Sequence, residues 1–334
     1  MAPMLNDEPR VVLVLREYRE AMAARELSVL TDMAKHWLTI EQRLSGDMAA
    51  LQMIMAQKVV EGGAVTPQMV WREERYQILK GNLQAVVKDY NRDYLIPTVE
   101  QAQKDFAWFG VEAATDAVKA SYTNGISPFF PVLNREAVET MAGFLGNGSP
   151  LNSLLKNDAP EALDGIVKAM INGVARGASS ASIGQEMANG LGMGLEKALL
   201  IARTETNRTY RSAVVQEYRA SNVVIGFRRL VKKISACMGC LMLDGERFAV
   251  ESDLYDHPRG NCQLVPEVIG VGAPKWQTGA EWFKTLDKEQ QREKLGGEVF
   301  DKWQKEGFDL KSLVGKSHSD EWGDAPRFGE SYAQ

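Results

Sequence analysis

The stretch "LEKALLIARTETNRTYRSAVVQEYRASNVVIGFRRLVKKIS", Leu195 to Ser235, contains the point at which the sequence changes from a helical to a strand-like pattern. In its first part, apolar, aromatic and small side chains recur every three or four residues, which places them on one face of a helix. They are Leu199, Ala202, Thr206, Tyr210, Ala213 and Tyr218. After Asn222 the residues become β-branched, and the later Asp244-Gly245 pair favours a hairpin turn. We therefore predict a long helix followed by a small sheet.

The sequence before this stretch predicts a succession of helices. The residues at helical spacing are Leu27, Leu30, Ala34 and Trp37, then Leu44, Met48, Leu51 and Met55, then Tyr76, Leu79, Leu83, Val86, Tyr90 and Tyr94. Gly62-Gly63 should end the first run. Pro97 should end the later one, because proline removes a helical hydrogen bond. A further helix is expected up to Asn124-Gly125.

The chain divides into three predicted regions. The segment Ile126 to Asn134 contains two prolines and no helical period, which indicates a boundary. The tail beyond Pro266 is polar yet holds four tryptophans, so we expect short helices that pack against this protein or a partner. The predicted fold class is α+β: a helical region (1–130), a small α+β domain with a long helix and short sheet (131–265), and an extended tail with short helices (266–334).

Composition restricts the classes of protein to consider. The 334 residues are 45% hydrophobic and 25% charged, which is typical of a globular multi-domain protein. No apolar run approaches the length of a membrane span, and the first residues carry Asp7 and Glu8 rather than a signal sequence. We therefore expect a soluble protein of a cytosol-like compartment. The net charge of -5 argues against a protein that coats nucleic acid over its whole surface.

The cysteines and one histidine form a cluster in the sequence. Cys237 and Cys240 make a C-x-x-C, and His257 and Cys262 follow as a second pair. Zinc prefers four thiolate or imidazole ligands in a tetrahedron, which two such pairs can deliver. The alternatives are four reduced side chains without metal, or redox chemistry. Redox chemistry is disfavoured because the C-x-x-C precedes a predicted hairpin, whereas thiol pKa values fall most at a helix start.

Other patterns give weaker predictions. There is no H-E-x-x-H, G-x-S-x-G or Walker loop, and "GLGMGL" (190–195) lacks the last glycine of a phosphate-binding loop. Arg203 and Glu205 are interpreted as part of a polar network. A metal-dependent nuclease would have to draw on Asp244, Asp253, Asp256 and His257, with nothing in the sequence to fix their geometry. The basic run Arg228, Arg229, Lys232 and Lys233 is either a solvated face or a weak contact to DNA phosphates.

The order of these motifs resembles a known family. "IARTETNRTYRSAVV" on a helix is followed by a strand, "CMGCLMLDGERF", "HPRGNC" and "EWFKTLDKEQQREKLGG". This order is similar to that of the phage head morphogenesis family, the minor head proteins related to the F protein of phage Mu. The resemblance covers roughly Ser182 to Gly315. One departure is Gly260, because relatives with cysteines often read His-Pro-x-Cys-x-Cys, whereas other relatives lack the paired cysteines.

The resemblance implies a structural virion protein and not an enzyme. Such a protein is a low-copy component of the capsid interior that associates with the portal vertex and assists head assembly or DNA delivery. Its expected partners are the portal, other capsid proteins and packaged DNA, with no membrane. It would be found in the virion, and in the host cytoplasm during assembly. No cofactor is required, and a structural zinc on Cys237, Cys240, His257 and Cys262 is an option.

Overall fold

The computed structural model describes residues 8–62, 65–122, 140, 142, 158–176, 178, 180–252, 254–320 and 322–329. These residues form an α+β fold, as predicted. The described helices are α1 (Arg10–Val60), α2 (Pro67–Arg72), α3 (Glu74–Tyr90), α4 (Ile96–Ser121), α5 (Asp158–Ala175), α6 (Ser180–Ala220), α7 (Met238–Met242), α8 (Gly279–Thr285), α9 (Lys288–Leu295) and α10 (Gly297–Glu306). The described strands are β1 (Val224–Leu230), β2 (Arg247–Ala249), β3 (Gln263–Val268), β4 (Val314–Ser319) and β5 (Gly323–Phe328).

Of the two helix ends predicted at Gly62-Gly63 and at Pro97, the structure confirms the first and contradicts the second. α1 ends at Val60 and Gly62 has a φ of 87°, as the glycine pair predicts. The expected end at Pro97 is wrong, because a π-helical turn (Asn91–Leu95) leads directly into α4. In this turn the N–H of Ile96 bonds to the carbonyl of Asn91 rather than to that of Arg92. The shifted bonding accommodates a residue without an N–H, so the chain remains helical through Pro97.

The chain forms two compact units, each built from separated segments. One unit comprises Glu26–Gln101 and Ser149–Arg203. In it the Trp37 and Tyr90 rings meet edge to face at 5.3 Å, and the Tyr90 hydroxyl donates to the Met33 carbonyl. The predicted face of α1 is partly wrong, since Leu27 is 67% exposed while Met33 and Trp37 are buried. The buried face of this part of α1 is formed by Trp37 and by residues at helical spacing from it, namely Met33, Ile40 and Leu44.

The other unit comprises Met1–Arg25, Ala102–Gly148 and Thr204–Gln334. Its main sheet has the order β2-β1-β3, and β1 is antiparallel to both neighbours. Side chains from α1, α4 and α6 share an apolar core with this sheet. The helices contribute Met22, Phe109, Tyr210 and Tyr218, and the sheet contributes Phe227 and Leu264. The Tyr210 and Tyr218 hydroxyls donate to Gln263 Oε1 and to the Leu264 carbonyl. These bonds confirm the predicted buried face of the long helix.

The tail belongs to this second unit and completes another core. Phe283, Leu295, Phe300 and Leu310 from the tail pack against Leu241 and other buried residues that follow β1. The short helices are as predicted. The tail also contains the β4–β5 hairpin, which the sequence did not predict. Its strands are mostly half-buried or exposed, so they lack the apolar alternation that identifies a strand in a sequence.

Each unit takes segments from more than one of the three regions expected from the sequence, and the division into those regions stays a prediction. The predicted boundary at 126–134 lies outside the described residues. In the part of the chain that the structure describes, no helix is both long enough and apolar enough to cross a bilayer.

Candidate metal centre

Cys237 and Cys240 lie at the start of a short helix. Cys237 is the N-cap of α7, and its Sγ accepts a hydrogen bond from the Cys240 N–H at 3.4 Å. The hairpin expected at Asp244-Gly245 is therefore wrong: Gly245, with a φ of 84°, links α7 to β2. Its N–H bonds to the Arg229 carbonyl in β1, so the turn is stabilised by the sheet rather than by a second strand of its own.

The loop before β3 brings the second pair of side chains to the first. His257 Nε2 lies 3.4 Å from Cys237 Sγ, and His257 Nδ1 lies 2.9 Å from the Pro258 carbonyl. Because a carbonyl can only accept, Nδ1 carries the proton, and in the neutral ring the lone pair of Nε2 faces the sulfur. Cys262 is buried and directly precedes β3.

The clustered side chains form two groups of three that share Cys240. Cys237, Cys240 and His257 form one group, and Cys240, Asp256 and Cys262 form the other; within each, the candidate ligand atoms lie within 4.8 Å of one another. The first group reaches the surface, since Cys237 is exposed. The second group is fully buried. The four side chains that the sequence suggested as ligands thus fall into two groups that share Cys240, and Asp256, which was not among the suggested zinc ligands, belongs to the second group.

Arg229 fills the centre of the buried group. Its guanidinium has 0% exposure, and Nη1 lies 3.7 Å from both Cys240 Sγ and Cys262 Sγ. The same nitrogen is 4.0 Å from Asp256 Oδ1, and Nη2 donates to the Tyr255 carbonyl at 2.7 Å. A residue that the sequence suggested for DNA contact is therefore enclosed beside the thiols.

Asp256 explains the glycine at position 260. A Cβ built on Gly260 would lie 2.1 to 2.4 Å from the carboxyl atoms of Asp256, so any larger residue here requires that carboxylate to move. Asp256 in turn accepts from the His257 N–H at 3.0 Å and lies 3.5 Å from Arg211 Nη1. Arg211 also donates to the Gly260 carbonyl at 2.8 Å. Residue 260 is the position of the first cysteine in the pattern His-Pro-x-Cys-x-Cys. In this chain the carboxyl group of Asp256 occupies the space that the side chain of such a cysteine would fill.

The proximity of the thiols and the imidazole changes their acidity. The hydrogen bond from Cys240 and the neighbouring His257 lower the pKa of Cys237 to about 4. The same Cys237 contact raises the pKa of His257 to about 9. Hydrogen bonding to the Cys237 and Cys262 sulfurs raises the pKa of Cys240, and it lowers that of Cys262. The cluster thus favours anionic sulfur at Cys237 and Cys262, the form that binds metal.

The other basic residues of the predicted DNA contact have different environments. Arg228 Nε is 2.6 Å from Glu267 Oε1. Lys232 is exposed and Lys233 is half-buried. Phosphate contact through this run stays a prediction that depends on the two lysines, because Arg228 is paired and Arg229 is enclosed.

Among the residues that the structure describes, the members of the predicted polar pair and the nuclease candidate Asp244 have separate partners. Glu205 pairs with Arg208 at 2.7 Å. Arg203 pairs with Glu26 at 2.7 Å. Asp244 accepts from the Val231 N–H, and Asp253 lies outside the described residues.

Comparison of the chain with protein-family models, with curated proteins and with solved structures gives no match. Thiolates and an imidazole at these separations are ligands for a soft divalent metal such as zinc.

Proposed function

We propose that this chain is a minor head protein of a bacteriophage. It is a structural component of the virion, present in low copy, that associates with the portal vertex inside the head and assists assembly or DNA delivery. It passes through the host cytoplasm during assembly. The resemblance in motif order supports this proposal, and one structural observation adds weight: the separate motifs meet at a single buried centre.

The motifs contact one another directly. From the Arg-Thr-Glu helix, Thr204 Oγ1 accepts from the Arg259 N–H and Arg211 donates to the Gly260 carbonyl. From the strand that follows, Arg229 contacts Cys240 of the C-x-x-C and Cys262 of the His-Pro loop. Motifs that meet at one point in space form a structural unit, and this unit ties the long helix to the sheet and its loops.

Several charged groups of this centre pair with one another, which supports a structural role rather than catalysis. Glu205 is 1% exposed and pairs with Arg208, whose guanidinium also donates to the Trp322 carbonyl. Asp256 is 4% exposed and faces Arg211 and Arg229. A catalytic site instead presents its acid, base or nucleophile to a pocket that a substrate can enter.

Association with a portal tests the proposal. The tagged protein is co-expressed with the portal protein of the same phage or prophage, and complexes are isolated and their subunits counted. We expect the two to copurify and particles to contain far fewer copies of this chain than of the major capsid protein. The portal of an unrelated phage is the matched control. Equal recovery of both portals, or absence of the chain from assembled heads, would contradict the proposal.

A metal-dependent nucleic-acid-processing enzyme is the competing function. Two of its candidate carboxylates have different partners, since that of Asp244 accepts from the Val231 N–H while that of Asp256 lies against Arg211 and Arg229. The minor head proposal is therefore favoured by the placement of these two carboxylates.

A further inference from the structure

The buried centre around Arg229 has an excess of positive charge unless its thiols are ionised. Arg211 and Arg229 have side-chain exposures of 7% and 0%. Among the described residues, Asp256 is the one carboxylate within 4 Å of either guanidinium, at 3.5 Å and 4.0 Å. Burying a charge is costly unless an opposite charge compensates it. One of the two guanidiniums therefore requires a further anion.

We propose that a single zinc-class divalent ion is held by Cys237, Cys240, His257 and Cys262, and that Arg229 and Asp256 position the ligands. Three thiolates, a neutral imidazole and a divalent ion carry one net negative charge. That charge compensates the second guanidinium, so the whole buried centre becomes neutral. This inference is independent of the proposed role in the phage head.

The geometry distinguishes the ligands from the residues around them. Arg229 Nη1 lies between Cys240 and Cys262, so a cation already stands in the group that contains Asp256. Asp256 Oδ1 accepts from the His257 N–H and its other oxygen faces Arg211. The carboxylate is thus engaged outside the metal position. Cys262 Sγ is within 4.8 Å of Cys240 Sγ, but the four ligand atoms do not all lie within 4.8 Å of one another, so the proposed site requires Cys262 to move toward Cys237 and His257 when the ion binds.

The orientation of His257 agrees with metal binding. Metal-ligating histidines usually donate their second ring N–H to a carbonyl or carboxylate, which fixes the tautomer. His257 makes such a bond from Nδ1 to the Pro258 carbonyl, and Nε2 points to Cys237. With four protein ligands the ion has no open position for an activated water, so its role is structural. It joins the start of α7 to the loop before β3.

Metal analysis of the full chain tests the ligand set. Protein is expressed in medium containing zinc, purified without added metal or chelator, and analysed by mass spectrometry for metal content. We expect about one zinc per chain, and loss of most of it in C237S, C240S, H257A and C262S. H318A is the matched control, since His318 lies in the β4–β5 hairpin. Protein without zinc, or full zinc content in C262S, would overturn the proposal.

Arg229 is tested as a positioning residue by cobalt substitution. Co(II) in a tetrahedral thiolate site gives strong visible absorption, which reports the ligand geometry directly. We expect R229M to lower metal affinity about 10- to 100-fold, as for other residues that orient ligands, and R229K to restore part of it by restoring the charge. Unchanged affinity in R229M would overturn this role. If R229M does not fold, D256N provides the same comparison, because Asp256 orients His257.

The proposed zinc site and the proposed minor head protein role can be contradicted independently of each other. Loss of zinc binding without loss of portal association would remove the metal site and leave the head-protein role intact. Zinc binding without portal association would contradict the head-protein role and leave the metal site intact.

Discussion

Gly260 has a different meaning in the sequence and in the structure. In the sequence it departs from the pattern His-Pro-x-Cys-x-Cys and counts against a metal site, whereas in the structure it makes room for the carboxylate of Asp256. We predict that Gly260→Ala lowers the free energy of unfolding by about 1–3 kcal/mol, because the added methyl forces Asp256 away from Arg211. Denaturant unfolding followed by circular dichroism measures the change.

Gly272→Ala is the matched control for this substitution. A Cβ on Gly272 meets nothing within 4 Å, and Gly272 lies in the same unit. This variant should unfold within a few tenths of a kcal/mol of the wild type, as is usual for surface substitutions. Equal behaviour of the two variants would mean that Asp256 does not occupy the space beside residue 260.

Asp244 gives a pH-dependent prediction. Burial raises its pKa from 3.8 to about 6, despite the opposing effects of the Val231 N–H, Lys233 and Arg19. Between these two values the folded state holds more protons than the unfolded state, so stability falls as the pH rises through this window. Asp244→Asn keeps an acceptor for Val231 and removes the charge. We expect it to raise the free energy of unfolding at pH 7 by on the order of 2 kcal/mol.

Comparison of Asp244→Asn with the wild type at low pH serves as the control for this prediction. At about pH 3 and below, Asp244 is largely protonated in both states, because its pKa is 3.8 in the unfolded chain and about 6 in the folded protein, so the advantage of Asp244→Asn should disappear. Urea unfolding at a series of pH values measures this difference. A variant that is less stable than the wild type at pH 7 would show instead that the carboxylate stabilises the fold through Lys233 and Arg19.

At the level of elements, Gly190 of "GLGMGL" serves helix packing rather than phosphate binding. All glycines of this stretch lie inside α6. A Cβ on Gly190 would lie 2.4 to 2.7 Å from the backbone of Gly165 and Ile166 in α5, whereas one on Gly192 meets nothing within 4 Å. Gly190 therefore permits two helix backbones to approach closely, and Gly192 has no such constraint.

This pair of glycines gives a matched test within one helix. Gly190→Ala should lower the free energy of unfolding by about 2 kcal/mol or more, because the helices must separate. Gly192→Ala should raise it by about 0.5–1 kcal/mol through the better helix propensity of alanine. Thermal and denaturant unfolding of the two variants would decide between packing and a ligand-binding loop. Opposite signs support packing, and equal small changes would contradict it.

The sequence predicted those elements whose pattern is set by burial. The face of α6 with Tyr210 and Tyr218 and the β-branched residues of β1 are of this kind. It failed where neighbouring structure decided the outcome. Asp244-Gly245 bonds to the edge of β1 instead of closing a hairpin, and Pro97 is accommodated by a π-helical turn. At the site, spacing identified the cysteines, but the burial of Arg229 depends on the fold.

At the scale of the whole molecule, the protein should have no nuclease activity. The Asp244 and Asp256 carboxylates have separate partners, so no acid, base and metal position are assembled from them. Plasmid DNA incubated with the purified chain and Mg²⁺, Mn²⁺ or Zn²⁺ should remain intact on a gel. Cleavage above the level of a mock purification, and its loss in Asp244→Asn or His257→Ala, would contradict the structural role.

The tail should be required for the part of the molecule that contains the cysteines. Leu241 and Met242 from α7 share one core with Phe283 and Phe300 from the tail. A chain that ends at residue 272 keeps all three strands of the main sheet but exposes this core. We expect it to bind the dye ANS strongly and to lose the cooperative unfolding of the full chain, because the remaining apolar surface has no partner.

A chain that ends at residue 329 is the control for this truncation, since it keeps α8, α9, α10 and both strands of the hairpin. It should unfold with the midpoint of the full chain. If the chain ending at 272 also keeps that midpoint, the first 272 residues are a self-sufficient fold and the tail is an appendage. If it does not, the three regions suggested by the sequence are not independent domains, because the region before residue 266 is stabilised by side chains that come after it.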